Sequence, residues 1–488
     1  MTDKFEQKNM RIIYSIILTG YFSAIALIVI FAPSIYFSDE LKKYIVIVLM
    51  FCAMIFFAFW VGLYKSAVFF WFQIISANFG IIYLFFSPDM EVISKNHIIM
   101  IPDLFILISW LFLTFSFRKK QNTDSEESLS TIVIYIVFMM YFLLISLHSK
   151  EYIFAMTEFI NFSRIVIVFS IFKYIQDREP EAKSFVIYGI AFLIITQGTI
   201  GIGQEFGIDL FSHYMDSNYT YIAGSFNRIG GTLGRVKLHS LLYLTLPLIF
   251  TQIVTSKNQY KKMVMLISFV LGIIALALTR NRGPMLSTIA GVGYICYKFK
   301  YYRVIKVNFK LLLYSLAFVV LTIFFFSFGG EDFQQIMNRP TYIGRIYQNT
   351  EVLNRFYNSQ MDQFFLGFGP QQYLVDKSSE NKRNKTKIIY NIHNQYILML
   401  YEGGVIGLLL YITWLISFYR KTLVYRNREG LPLTDFESLK IGISGSIISL
   451  VIASVSRPIH DNVSFTLLGI YMALISNTSK SLNINNLT

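Results

Sequence analysis

The segment "HNQYILMLYEGGVIGLLLYITWLISFY" (His393–Tyr419) places a histidine and an asparagine directly before a long apolar run. A helix needs about 20 consecutive, mainly apolar residues to cross the hydrocarbon core of a bilayer. The run after Asn394 reaches that length, and Glu402 is the one acidic residue inside it. The segment therefore predicts a membrane-spanning helix that is preceded by an ionisable imidazole.

The composition of the whole chain extends this prediction. Of its 488 residues, 55% are hydrophobic and 15% are charged, and the mean hydropathy is +0.52. Soluble domains carry about 25% charged residues, so we predict an all-α polytopic integral membrane protein. The first apolar run, Ile12–Ala32, is too long for a cleaved signal peptide and is interpreted as an uncleaved span. The net charge of +14 is attributed to lysines and arginines in loops and not to nucleic-acid binding.

Apolar runs predict about fourteen transmembrane helices, and a count of about twelve or thirteen also fits the sequence. The sixth run (Tyr152–Ile175) is the weakest, because it contains Glu158, Asn161 and Arg164. The predicted helices are centred near residues 22, 54, 76, 108, 139, 164, 192, 246, 270, 292, 319, 410, 449 and 470.

Short cytoplasmic loops are expected to hold the excess of lysine and arginine. Basic clusters such as "KFKYYRVIK" (Lys298–Lys306) and "YRKTLVYRNR" (Tyr419–Arg428) therefore place both termini in the cytoplasm. Two outward loops are long, Gly203–Lys237 and Gly329–Ile392. The chain is accordingly divided into an N-terminal bundle (1–202), an outer loop with central helices (203–328), a long outer loop (329–392) and a C-terminal region with the His-Asn motif (393–488).

Arginines gather on the predicted outer face, where the topology rule does not favour them. They are Arg228, Arg235, Arg280, Arg282, Arg345, Arg355 and Arg457. The planar guanidinium group binds phosphate oxygens bidentately and stays charged when it is partly desolvated. The cluster favours a diphosphate carried on a lipid, and the alternative is that individual arginines pair with lipid headgroups or nearby acids.

His393 reaches the same face, at the end of the long loop and beside Asn394. Histidine is the usual proton-transfer group near neutral pH, although a single interfacial histidine is often structural. Glu402 has two interpretations. It is a functional acid inside the membrane if the helix is continuous, or it ends an interfacial helix if Gly403 and Gly404 break the chain.

Metal and cofactor chemistry have little support in the sequence. Both cysteines, Cys52 and Cys296, lie in apolar runs, and no D-x-D or H-E-x-x-H motif is present. Asp39 and Glu40, in "SDEL", are the residual acidic candidates, but this pattern is more typical of a helix N-cap. No strand precedes the glycine-rich segment at 197–207, so a phosphate loop is not expected there. We predict neither a metal nor a cofactor.

Four segments resemble O-antigen polymerases and ligases. "HNQYILMLYEGGVIG" matches their pattern of His, a polar residue and G-x-x-G through His393, Asn394, Gly404 and Gly407. "FFLGFGPQQYL" is similar to their G-x-G-P turn, "RIGGTLG" to R-x-x-G-T-x-G, and "TRNRGPML" to T-x-S-R-G. The sequence departs from the family at Asn281, which replaces a serine, and at Arg235, which replaces an Asn-Pro pair.

The resemblance implies a GT-C-like, metal-independent glycosyltransferase on the outer face of a bacterial inner membrane. Its donor would be an undecaprenyl-diphosphate-linked glycan. Arg228, Arg282 and Arg345 would hold the diphosphate, and His393 would accept the proton of the acceptor hydroxyl. We count Arg280, Arg235 and Arg355 as further diphosphate candidates.

The acceptor separates the alternatives. A repeat-unit polymerase is favoured by the number of spans and the large outer loop, and it could work with a flippase and a chain-length regulator. A ligase that transfers the glycan to lipid A–core is the alternative. A transporter of lipid-linked sugars is a third hypothesis, which predicts ionisable residues near the bilayer midplane; Arg164 and Glu158 are the available candidates.

Overall fold

The computed structural model describes residues 129–149, 152–178, 182–207, 229, 235–301, 340–373, 376, 392–424, 433–457, 459 and 461–476. Its helices are α1 (Leu129–His148), α2 (Tyr152–Arg178), α3 (Ala182–Glu205), α4 (Arg235–Thr255), α5 (Gln259–Leu278), α6 (Arg282–Tyr301), α7 (Pro340–Tyr357), α8 (Met361–Leu366), α9 (Gln395–Thr422), α10 (Asp435–Ser456) and α11 (Asn462–Ile475). The predicted spans near residues 22, 54, 76, 108 and 319 lie outside the described residues, as do Asp39, Glu40, Arg228 and His460.

Every span predicted within the described residues coincides with a helix. In the part of the chain that the structure describes, five helices contain segments long and apolar enough to cross a membrane, namely α3, α4, α5, α9 and α10. Shorter apolar segments lie in α1 and α11. The all-helical architecture and these segments fit the predicted polytopic membrane protein.

Small residues allow α6 and α10 to pack closely. A Cβ atom on Gly291 would meet the Ser449 side chain and the Gly445 carbonyl, and one on Gly445 would meet Ile295. The Ser449 hydroxyl donates a hydrogen bond of 2.8 Å to the Ser287 carbonyl. Small residues at helix interfaces let backbones approach and gain dispersion contacts, which replace the hydrophobic effect as the driving force in lipid.

Aromatic rings fill the contact between α1, α2 and α9. The Phe138 ring lies 5.4 Å from the Phe162 ring and 6.1 Å from the Tyr411 ring, between centroids. Tyr135 lies 4.9 Å from Trp414. These distances are in the range where tilted and edge-to-face pairs are favourable, so the rings stabilise the contact of α9 with α1 and α2.

One end of the bundle collects the turns that sequence analysis placed on the outer face. Arg280, between α5 and α6, reaches Glu205 at the end of α3. The Ile459 N–H, between α10 and α11, donates to the Gln395 side chain at the start of α9, with N and O 2.6 Å apart. At the other end, α6 and α9 finish with basic residues. The bundle therefore separates the arginine turns and His393 from the basic ends of α6 and α9.

Candidate functional site

Asn394 determines where α9 begins. Its backbone is extended, and its Oδ1 atom accepts hydrogen bonds from the N–H groups of Tyr396 (2.9 Å) and Ile397 (3.1 Å). An asparagine at this position satisfies N–H groups that have no partner within the helix. The cap fixes His393 immediately outside the first turn of α9.

The environment of His393 favours the neutral imidazole. The ring is half-buried, and burial, followed by the positive charges of Arg345 and Arg457, lowers its pKa to about 4. Desolvation and like charge both penalise the protonated ring. His393 is therefore unprotonated at neutral pH and able to accept a proton.

Arg345 comes from α7, which packs against α9. Val352 lies seven residues further along, about two helical turns, and it is buried together with Phe356. Arg345 shares this inward-facing side of α7, while its own side chain remains exposed. It is therefore a positive group near the imidazole that a ligand can reach. Arg355, near the end of α7, instead pairs with Glu351 at 2.8 Å.

The turn between α5 and α6 holds Arg280 and Arg282 differently. Arg280 has a positive φ of 51°, and its guanidinium lies 2.7 Å from the Glu205 carboxylate. Arg282 begins α6 and is half-buried. The next residue, Gly283, lacks the Cβ atom that would collide with Ser456 at the end of α10. Gly283 thus brings the start of α6, with Arg282, next to the end of α10.

Two predicted arginines have no described side chain. Arg228 lies outside the described residues, but the next residue, Ile229, is buried against Gly201 of α3. Arg235 begins α4, and its backbone alone is described. The roles assigned to both arginines therefore stay predictions.

Helix α9 is broken at Gly404, where φ is 64° and ψ is −167°. The N–H groups of Phe368 and Gly369 donate to the carbonyl oxygens of Tyr401 (2.9 Å) and Glu402 (3.0 Å), which the break exposes. Glycine is needed at both sides of this contact, since a Cβ atom on Gly404 or Gly367 would collide with the facing backbone. The G-x-G-P turn and the break in α9 therefore form one unit.

Glu402 is held in place close to this break. Its side chain is buried, and Oε1 accepts the Gln371 N–H at 2.9 Å. The Gln371 side-chain amide in turn donates to Glu158 of α2 at 3.0 Å. Glu402 lies two residues before the break at Gly404, and its hydrogen bond joins the segment after the G-x-G-P turn to α9. Both interpretations of Glu402 stay predictions.

Gly407 serves packing on the other side of α9. A Cβ atom there would lie 3.2 Å from the Tyr141 ring of α1. The Tyr141 hydroxyl donates to the Gly403 carbonyl at 2.7 Å. The G-x-x-G spacing thus supplies a glycine that bends the chain and a glycine that admits the neighbouring helix.

A buried cluster beside this site was not recognised in the sequence as a unit. Arg457 donates to Ser240 (2.8 Å) and to Asp461 (3.2 Å), and Ser240 donates to Asp461 (2.7 Å). Asp461 also caps α11 by accepting the Ser464 N–H at 2.8 Å. The sequence analysis placed Arg457 on the outer face but did not connect it to Asp461 or Ser240. The local pattern that indicates the Asp461 cap is an aspartate at the start of a helix, three residues before a serine.

Within the part of the chain that the structure describes, no group of three or more His, Cys, Asp or Glu side chains is placed to hold a metal ion. Another histidine, His239 of α4, lies near Asn281, with Nδ1 and Nδ2 3.5 Å apart. Asn281 is one of the two residues at which the sequence departs from the family pattern, and here it faces the start of α4.

Residues 267–412 match the family model described as O-antigen ligase. The matched region runs from α5 to the middle of α9 and includes Arg280, Arg282, the G-x-G-P turn and the His-Asn motif. The resemblance to O-antigen polymerases and ligases is thereby confirmed. No curated protein matches the chain. The match crosses several of the predicted segments, and the boundaries between them stay a prediction.

Proposed function

We propose that this chain, which resembles O-antigen ligases and polymerases over residues 267–412, transfers a glycan from undecaprenyl diphosphate to a sugar hydroxyl. The site would face the outer side of a bacterial inner membrane. The first candidate acceptor is another lipid-linked repeat unit, which would make the protein a surface-polysaccharide polymerase. The flippase and chain-length regulator of such a pathway are candidate partners.

The observation that carries the proposal is the placement of His393, which the Asn394 cap fixes at the start of α9. It lies outside the first turn of a membrane helix, close to two arginines, and its pKa of about 4 keeps it neutral. A neutral imidazole can accept a proton, and Arg345, the exposed one of these two arginines, can attract an anionic group. Glycan transfer from a lipid diphosphate requires a proton acceptor and a cation for the diphosphate at one place.

Departure of the diphosphate is the step in which negative charge develops. Fixed cations stabilise that charge more in the transition state than in the ground state, and so they accelerate the step. We assign this role to Arg282 and Arg345, with Arg228 as a third contributor by resemblance. Arg280 and Arg355 each have an acidic partner, Glu205 and Glu351, and therefore contribute less. Arginine charge could then replace a metal ion.

The bond changes are balanced. The acceptor oxygen forms a bond to the anomeric carbon of the donor, and the bond from that carbon to the diphosphate oxygen breaks. The electron pair leaves with undecaprenyl diphosphate, and the hydroxyl proton moves to His393. A bound diphosphate would partly cancel the arginine charges, which would raise the pKa of His393 and strengthen it as a base.

The transporter hypothesis is weakened by the position of Glu158. Its carboxylate accepts a hydrogen bond from Gln371, which follows the G-x-G-P turn. It therefore lies at the end of the bundle that holds His393. A midplane binding site would be expected between paired halves, and Glu158 instead serves the attachment of the outer loop.

The description of the matched family as O-antigen ligase favours a second acceptor, lipid A–core. The two acceptors are distinguished by supplying the purified protein with the lipid-linked repeat unit alone or together with lipid A–core. We expect products of increasing length from the repeat unit alone. Product formation that requires lipid A–core would identify a ligase, and the absence of transfer under both conditions would contradict the proposed function.

A further inference from the structure

We propose that the Arg457–Asp461 ion pair is a positioning element of the transfer reaction, which holds the chain beside His393 and keeps a buried positive charge near its imidazole. The inference rests on the proposed function, because it concerns the same site. It adds a residue pair from the turn between α10 and α11, which lies beyond the matched region 267–412.

The start of α9 is mechanically coupled to the turn after α10. The turn after α10 is tied to α9 by the Ile459 N–H, which donates to Gln395 Oε1 at 2.6 Å. Gln395 is the first residue of α9 and follows His393 by two positions. It is buried, as is Ile459. A shift of the turn would therefore move the start of α9 and the histidine in front of it.

The turn after α10 is itself made rigid by the buried cluster. Arg457 bonds to Ser240 and Asp461, and their mutual bond closes a triangle of 2.8, 3.2 and 2.7 Å. The side chains of Arg457 and Asp461 are 8% and 4% exposed, and the guanidinium lies 5.9 Å from the centre of the Tyr243 ring. Burial removes the competition with water that weakens surface ion pairs. The cluster thus fixes the turn to α4.

Arg457 also acts on His393 through its charge. Among the described residues, Arg345 from α7 and Arg457 from the turn are two positive groups that act on His393, and Asp461 stands beside Arg457 with the opposite charge. Arg345 is exposed and would be neutralised by a bound anion. Arg457 is enclosed by protein partners, so its effect persists with or without donor. This difference suits a residue that sets the basal protonation of the imidazole.

The test uses the acid limb of the pH profile of kcat/KM. The midpoint of this limb reports the pKa of the essential base in the free enzyme. We expect Arg457→Gln to move this limb to higher pH by about 0.5–1 unit, because a cation that disfavours the imidazolium is removed. Arg457→Lys should leave the limb in place, since the charge is retained. As a matched control, Arg420→Gln removes an exposed charge from the opposite end of α9 and should not move the limb.

A second comparison covers the case in which Arg457→Gln does not fold, since it leaves a buried carboxylate without its cation. Asp461→Asn keeps the oxygen that caps α11, and Arg457→Gln combined with Asp461→Asn removes both charges. The limb of the double variant should lie about 0.5–1 unit above that of Asp461→Asn. Active variants whose limbs coincide would overturn the inference but leave the proposed function intact, whereas a wild-type protein without transfer activity would overturn the proposed function itself.

Discussion

His393→Ala is expected to lower the rate of glycan transfer by roughly 10²-fold or more, the effect of losing a general base. The substitution removes a half-buried ring outside the helix, so insertion and folding should be preserved. Donor affinity should also be retained, because arginines hold the diphosphate. His393→Gln should fail similarly, since an amide can form hydrogen bonds but cannot take up the proton. Turnover and donor affinity are measured for each variant.

Arg282→Lys tests diphosphate binding, whereas the His393 variants test proton transfer. Lysine keeps the charge but cannot reproduce the bidentate fork of the guanidinium, so both donor binding and transfer should weaken.

Near-normal turnover in His393→Gln would reduce His393 to a positioning residue. Loss of donor binding in His393→Ala would instead place the ring in the diphosphate site. Lysine that works as well as arginine at position 282 would show that this side chain does not bind diphosphate.

Gly404→Ala is expected to detach the outer loop from α9. The φ of 64° and ψ of −167° at this position are almost confined to glycine, and other residues there incur a strain of about 1–3 kcal/mol. In addition, the new Cβ atom would collide with the Phe365 carbonyl. We expect a lower thermal unfolding temperature in detergent, faster proteolysis within residues 329–392 and a large loss of transfer.

Gly293→Ala is the matched control for this prediction. Gly293 lies inside α6, and a Cβ atom there would meet nothing within 4 Å. Alanine in a helix interior is more stable than glycine by about 0.5–1 kcal/mol, so this variant should be as stable as the wild type or more so. Equal behaviour of the two alanine variants would contradict the assigned role of the break at Gly404.

The helices of the described residues, and the positions where they begin, could largely be predicted from the sequence. Long apolar runs determine where helices form, and a polar residue such as Asn394 determines where one begins. The double glycine at 403–404 suggested a break in α9, and the structure places it at Gly404. These features are local, so the pattern of neighbouring residues is sufficient to indicate them.

The partners of individual side chains could not be predicted in the same way. Ser240 and Asp461 are separated by 221 positions, and Arg280 and Glu205 by 75. No local pattern links such residues, because their contacts depend on how the helices pack. For this reason the sequence indicates Arg280 and Arg355 as phosphate ligands, with pairing to nearby acids as the alternative, and does not identify the cluster of Arg457, Asp461 and Ser240.

We propose that arginines and one histidine perform the transfer without a metal ion. The most direct measurement is the release of undecaprenyl diphosphate by the purified protein from a lipid-linked glycan in excess chelator. We predict that release proceeds at the rate seen without chelator, with one lipid diphosphate freed for each glycosidic bond formed. Release that stops in chelator and returns with Mg²⁺ or Mn²⁺ would contradict the claim and direct attention to Asp39 and Glu40.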